Sequence, residues 1–244
     1  SPAGSIHRAT TMSTELISFK REDGTEVPAY ATAAGPTQGL VVLQEWWGVN
    51  EQVKITATNI AQECGVRVAI PDLYRTKIAY EAAEAQHLMS GLDWPGAVSD
   101  VKAAVVGLKA AGCTKVAVVG FCMGGALSLG SAVQHPEIDA CIAFYGWNDG
   151  LADVGTMTKP TQCHFGKLDD IKGFSDADTA AILHEKLKGS GCPLEFYMYE
   201  KQGHGFMNGT DWGKEMQKKL GRPEVQTAEI DAAMARVKAF LAKH

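Results

Sequence analysis

The chain has 244 residues, 45% of them hydrophobic and 21% charged, with a formal net charge of −5. One α/β domain of that length has room for a full core and buries roughly 70% of its unfolded surface. No Lys/Arg run is present to hold phosphates, which excludes a nucleic-acid partner. No apolar stretch approaches the roughly 18 residues of a membrane span.

Residues 1–12, "SPAGSIHRATTM", are polar and aperiodic and lack the apolar segment of a secretory signal. They read as an expression remnant, a transit-peptide remnant or a natural tail, so the domain is expected to occupy 13–244. Two extended stretches, "LISFK" and "VPAYAT", flank the turn "EDG" and form a hairpin. "GLVVLQE" (39–45) is a continuous apolar run, as in a strand covered on both faces. A helical pattern runs from Val53 to Cys64, and the strand "VRVAIPDL" (66–73) is stopped by Pro71. Helical segments at about 79–91 and 96–111 are split by "DWPG". Then come strand "KVAVVG" (115–120), helix "MGGALSLGSAVQ" (123–134), strand "DACIAFYG" (139–146) and strand "TQCHFG" (161–166). A helix near 176–189, strand "LEFYMYE" (194–200) and a helix over about 225–242 complete the chain.

Strands alternating with helices predict βαβ units and a mostly parallel sheet of about eight strands with helices on both faces. Ligands in such sheets bind beyond the carboxyl ends of the strands. Glu45 and Trp46 follow the third strand, Cys122 the fifth, Tyr145 and Trp147 the sixth. Asp169 and Asp170 follow "TQCHFG", and His204 follows the last strand. Nucleophile, acid and histidine in that chain order match an α/β-hydrolase triad.

"G-F-C-M-G" (120–124) fits the nucleophile elbow with cysteine in place of serine. The turn is sharp, so its flanking positions need glycine. It sets the sulfur at a helix start, where the partial positive charge favours thiolate. It also turns the Met123 N–H outward as half of an oxyanion hole. Seven histidines are present. His7, His135, His184 and His244 fall at helix, turn or tail positions, His87 inside a helix and His164 inside a strand. His204 alone lies after a strand in a "GHGF" loop, in place to act as base and then acid. Asp169 and Asp170 are adjacent and point apart, so one orients His204. The spacing "G-K-L-D" favours Asp169. Glu45 reads equally as a helix cap or as a member of the site.

The six cysteines form no CxxC pair and show no zinc spacing with histidine. Most lie in or beside apolar runs, where free cysteine acts as a small hydrophobe. A reducing compartment follows, cytoplasmic with an organelle left open, and neither metal nor cofactor is expected.

The motifs "GFCMGG", "LQEWWGVN", "IPDLY", "FYG", "FGKLD" and "GHGF" together resemble the dienelactone hydrolase (carboxymethylenebutenolidase) family, from about residue 14 to the C-terminus. The resemblance implies Cys122 as nucleophile, His204 as base and Asp169 as orienting acid. It makes Glu45 the partner of the resting thiol and places the oxyanion hole at the N–H groups of Trp46 and Met123. Tyr145, Trp147 and Phe206, with Gln86 and Met89 on the helix near residue 86, are the expected substrate contacts.

Two arginines that grip a substrate carboxylate in that family are missing: the helix over 80–92 has none, and Asn208 occupies the other position. Lysine or asparagine does not reproduce a bidentate arginine clamp. Arg75, Lys77 and Lys201 are candidate substitutes, though each reads more readily as a solvated surface charge. The expected activity is hydrolysis of a small ester or lactone through an acyl-thioester, by a monomer or weak homodimer. The alternative is a thiol-based binding or redox-sensing protein on the same fold.

Overall fold

The computed structural model describes residues 13–33 and 35–244, so the expected tail at 1–12 lies outside the described residues. A hairpin of β1 (Thr14–Lys20) and β2 (Glu26–Thr32) leads into β3 (Gln38–Leu43), α1 (Glu51–Cys64) and β4 (Arg67–Pro71). Then follow α2 (Ala82–Ser90), α3 (Trp94–Ala110), β5 (Lys115–Phe121), α4 (Met123–Gln134) and β6 (Ala140–Phe144). The chain closes with β7 (Thr161–Gly166), α5 (Ala177–Ser190), β8 (Leu194–Tyr199), α6 (Asp211–Lys219) and α7 (Thr227–Lys243). Among the described residues, no helix is long and apolar enough to cross a membrane.

The strands form one sheet in the order β1-β2-β4-β3-β5-β6-β7-β8, with β2 antiparallel to both neighbours and β3 to β8 parallel. The step from β3 to β4 runs one way along the sheet, and every later step runs the other way. Right-handed crossovers therefore set α1 on one face and α3, α4 and α5 on the opposite face. The packing agrees, since α1 rests on α7 and α3 on α4. This is the α/β-hydrolase sheet.

The reversal opens a crevice between the carboxyl ends of β3 and β5. Register then brings the site together. Leu43 pairs with Gly120, Phe121 with Phe144, Phe144 with His164, and Gly166 with Tyr199. The strand ends lie within about two residues of one another, so residues just past them share one rim of the sheet.

Two elements depart from the sequence expectation. The break between α2 and α3 falls at 91–93, earlier than expected, and the rest of "DWPG" opens α3: Asp93 caps it by accepting from the Gly96 N–H at 3.1 Å. Pro95 is tolerated because first-turn N–H groups have no helical partner. The second is α6, a segment to which the sequence reading assigned no element. Trp212 and Met216 lie one turn apart on it, and with Leu220 just beyond they form a narrow apolar stripe on an otherwise charged helix.

Asp100 on α3 ties the hairpin and the β4–α2 loop to the body. Its buried carboxylate accepts from Arg21 Nε at 2.6 Å and from Arg75 Nη1 and Nη2 at 2.7 and 3.0 Å. Removing one partner of a buried ion pair strands the other charge. Asp100→Ala is expected to cost about 3 kcal/mol, at the low end of the usual range because Arg75 is partly solvated. Urea unfolding measures it, and a loss under about 1 kcal/mol would refute the assignment.

Candidate active site

Cys122 stands between β5 and α4 with φ 55° and ψ −118°, a conformation that L residues seldom adopt. Its N–H donates to the Phe144 carbonyl at 3.0 Å, and its own carbonyl accepts from Gly125 and Ala126 at 2.8 and 3.2 Å. The glycines around it have no room for a side chain. A Cβ on Gly120 would strike the Gly124 carbonyl, and one on Gly124 would lie 2.6 Å from the carbonyl oxygens of Leu43 and Gln44. Backbone packed on backbone thus fixes the elbow. The Met123 and Trp46 N–H groups donate to no backbone carbonyl among the described residues.

His204 is buried. Its Nδ1 lies 2.8 Å from Asp169 Oδ2 and 3.0 Å from Ser175 Oγ, while Nε2 makes no hydrogen bond. Burial by itself lowers the imidazole pKa. The charge on the Cys122 sulfur when it is thiolate, and the hydrogen bond to Asp169, more than reverse that, and the value beside the thiolate rises to about 9. The Tyr145 ring packs edge-on against the imidazole, centroids 5.1 Å apart. Asp169 is buried and Asp170 exposed, so of the adjacent pair only Asp169 meets His204. His164 is by contrast a core histidine, held by Tyr199 at 2.8 Å and Gln162 at 2.9 Å, with burial pushing its pKa well down.

Glu45 is buried on the β3 side of the crevice. It accepts from Tyr145 Oη at 2.9 Å and from Asn208 Nδ2 at 3.2 and 3.0 Å. Neither a hydrogen bond to Cys122 nor an ion pair forms at Glu45 among the described residues, because two neutral donors already occupy the carboxylate. Burial, then the Glu45 charge, pushes the Tyr145 hydroxyl well up, so it stays protonated and donates.

The expected substrate contacts divide. Tyr145 and Phe206 lie within the aromatic packing, ring centroids 5.3 Å apart and almost wholly covered. Trp147 is buried with its indole N–H unpartnered. Trp46 is half-exposed and packs edge-on against Trp47 at 5.0 Å. Gln86 is not brought to the site: it is exposed and donates to Ser90. The face that α2 turns inward carries Ala82, Ala85 and Leu88, against Trp46, Trp47 and α6, and Met89 is half-buried against the main core. Arg75 is held on Asp100, and Lys77 and Lys201 are exposed.

The sequence reading missed Ser175 and the link from Asn208 to Glu45. Ser175 sits on the loop before α5 in no recognisable motif. It reaches His204 only because its N–H folds back onto the Ile171 carbonyl at 3.0 Å.

The model of the dienelactone hydrolase family matches residues 27–244. Protein usf of Aquifex pyrophilus is 30% identical over 208 residues, covering 80% of this chain and 87% of that protein. A carboxymethylenebutenolidase of Pseudomonas putida is 28% identical over 210 residues, covering 80% and 86%. A dienelactone hydrolase-like promiscuous phosphotriesterase from metagenomic libraries superposes with a TM-score of 0.76 at 19% identity, covering 95% of this chain and 98% of that one.

Proposed function

The chain belongs to the dienelactone hydrolase family, and we propose that it hydrolyses small neutral esters or lactones with Cys122 as nucleophile. The observation that carries this reading is the buried His204, bonded to Asp169 at 2.8 Å through Nδ1 and with Nε2 unpartnered beside the elbow. A binding or redox-sensing thiol has no use for that pair.

In the first half-reaction the thiol proton passes to His204 Nε2 and the sulfur attacks the carbonyl carbon. The oxyanion settles on the Trp46 and Met123 N–H groups. Collapse breaks the C–O bond, and His204 gives its proton to the leaving alkoxide, which in a lactone stays attached as the far end of the opened ring. Water, deprotonated by His204, then attacks the thioester and expels Cys122 as thiolate.

The electrostatics favour a neutral substrate. Glu45 and Asp169 are both buried carboxylates, and neither is paired with lysine or arginine among the described residues. A substrate carboxylate would add a third negative charge with no lysine or arginine to meet it. The expected result is a kcat/KM at least about tenfold higher for the methyl ester of a carboxylated lactone than for its free acid. A preference for the free acid, lost in Arg75→Ala, would overturn this reading.

A further inference from the structure

We infer that Ser175 is a positioning residue for His204: its buried hydroxyl oxygen, 3.0 Å from Nδ1, shares the Nδ1–H with Asp169 and holds the ring with Nε2 toward Cys122. The inference rests on the proposed role of His204.

The proton count decides which way this contact runs. A buried carboxylate 2.8 Å from Nδ1 accepts, so Nδ1 carries the hydrogen in the working tautomer. Ser175 therefore cannot donate to that nitrogen and meets it with a lone pair. One N–H then faces two oxygens on different segments, Asp169 just after β7 and Ser175 just before α5. A single acceptor leaves a ring free to swing about the shared line, whereas two fix its plane.

The segment is built to hold that oxygen still. The Asp169 Oδ1 atom accepts from the Ile171 N–H at 3.1 Å. The Ile171 carbonyl in turn accepts from the N–H groups of Phe174, Ser175 and Asp176 at 3.0 to 3.2 Å. Asp176 then receives the Gly173 N–H at 3.0 Å and the Thr179 hydroxyl. Both acceptors on His204 thus belong to one knot of hydrogen bonds that ends at the start of α5, with Ser175 wholly buried in it.

When Nε2 takes the thiol proton, the positive charge spreads over the ring and Nδ1–H becomes a stronger donor. Each acceptor there stabilises the charged ring more than the neutral one, so Ser175 supports the imidazolium as well as its orientation.

The test follows the His204 ring-proton NMR titration in the full chain, for wild type, Ser175→Ala and Ser175→Thr. Ser175→Ala should titrate about half a unit to one unit lower, the worth of one neutral hydrogen bond. Ester hydrolysis should fall about three- to tenfold in kcat with KM little changed, and Ser175→Thr should restore the titration. If the alanine variant does not fold, the near-isosteric Ser175→Cys, a weak acceptor, must show the same downward shift. A titration that coincides with wild type in Ser175→Ala, or in Ser175→Cys where the alanine variant does not fold, overturns the inference. A shifted titration in an enzyme that hydrolyses no ester would uphold Ser175 and defeat the hydrolase reading instead.

Discussion

Cys122→Ala is expected to abolish ester hydrolysis, lowering kcat by roughly 10⁴ to 10⁶, the range seen when a nucleophile acting as one unit with its base is removed. Turnover of p-nitrophenyl acetate, measured beside the melting temperature, checks it. Near-normal turnover in a folded Cys122→Ala would end the mechanism. The other five cysteines are not equivalent. Burial is the main cause that raises the thiol of Cys163 well above its usual value and that of Cys141 to about 12, and it lifts Cys64 to about 11 with help from Glu63. Such groups stay protonated and inert. Cys122→Ser is also expected to be poor, because an alcohol yields its proton far less readily to His204.

The pH dependence has a definite sign. His204 titrates in the fold at about 9, against 6.5 for a free side chain. The raised value means that the folded state holds this proton more tightly. The resulting stability is complete below 6.5 and is lost as pH rises through 9. Cys122→Ala removes the sulfur that helps raise the value, so burial weighs more and the alkaline loss begins at lower pH.

Asp169→Asn is expected to lower turnover by about 10⁴, the cost of the same exchange in a serine protease triad. The amide can present its NH₂ to Nδ1, which favours the tautomer with the proton on Nε2 and leaves no base facing the thiol. Ser175 cannot make this good, since its neutral hydroxyl does not balance an imidazolium. Asp170→Asn changes a solvated side chain and should alter kcat less than about threefold. Steady-state kinetics of the two variants under one set of conditions decides it, and the reverse pattern would move the acid by one residue.

The chain's order of strands and helices was legible because buried parallel strands read as unbroken apolar runs, as at β3, β5 and β6. The elbow was legible because a sharp turn admits only glycine beside the cysteine. His204 and Asp169 followed from their places after strands. What escaped depends on contacts distant in sequence. Asn208 meets Glu45 across 163 positions, and Ser175 meets His204 across 29. No local pattern announces either. The face of α2 was misjudged at Gln86 because its small residues Ala82 and Ala85 carry little apolar weight, yet they are what lets the helix approach Trp46 and Trp47. Helix α6 was overlooked because its stability comes from the Thr210 cap and from Met216 in that same cluster.

That cluster has a bearing on how such an enzyme changes over generations. Trp47, Ala79, Ala85 and Met216, with Trp46, Trp212 and Leu220 around them, form a hydrophobic unit separate from the main core. The elbow, by contrast, is set by glycine backbone packed on backbone, where a substitution has nowhere to go. The machinery and the walls around it are thus inherited on different terms. Mutations can exchange aromatic and small side chains in the outer unit and present new surfaces to a substrate. On the proposed mechanism, the sulfur, the imidazole and the two N–H groups stay where the sheet puts them, so new specificity can be explored without rebuilding the chemistry.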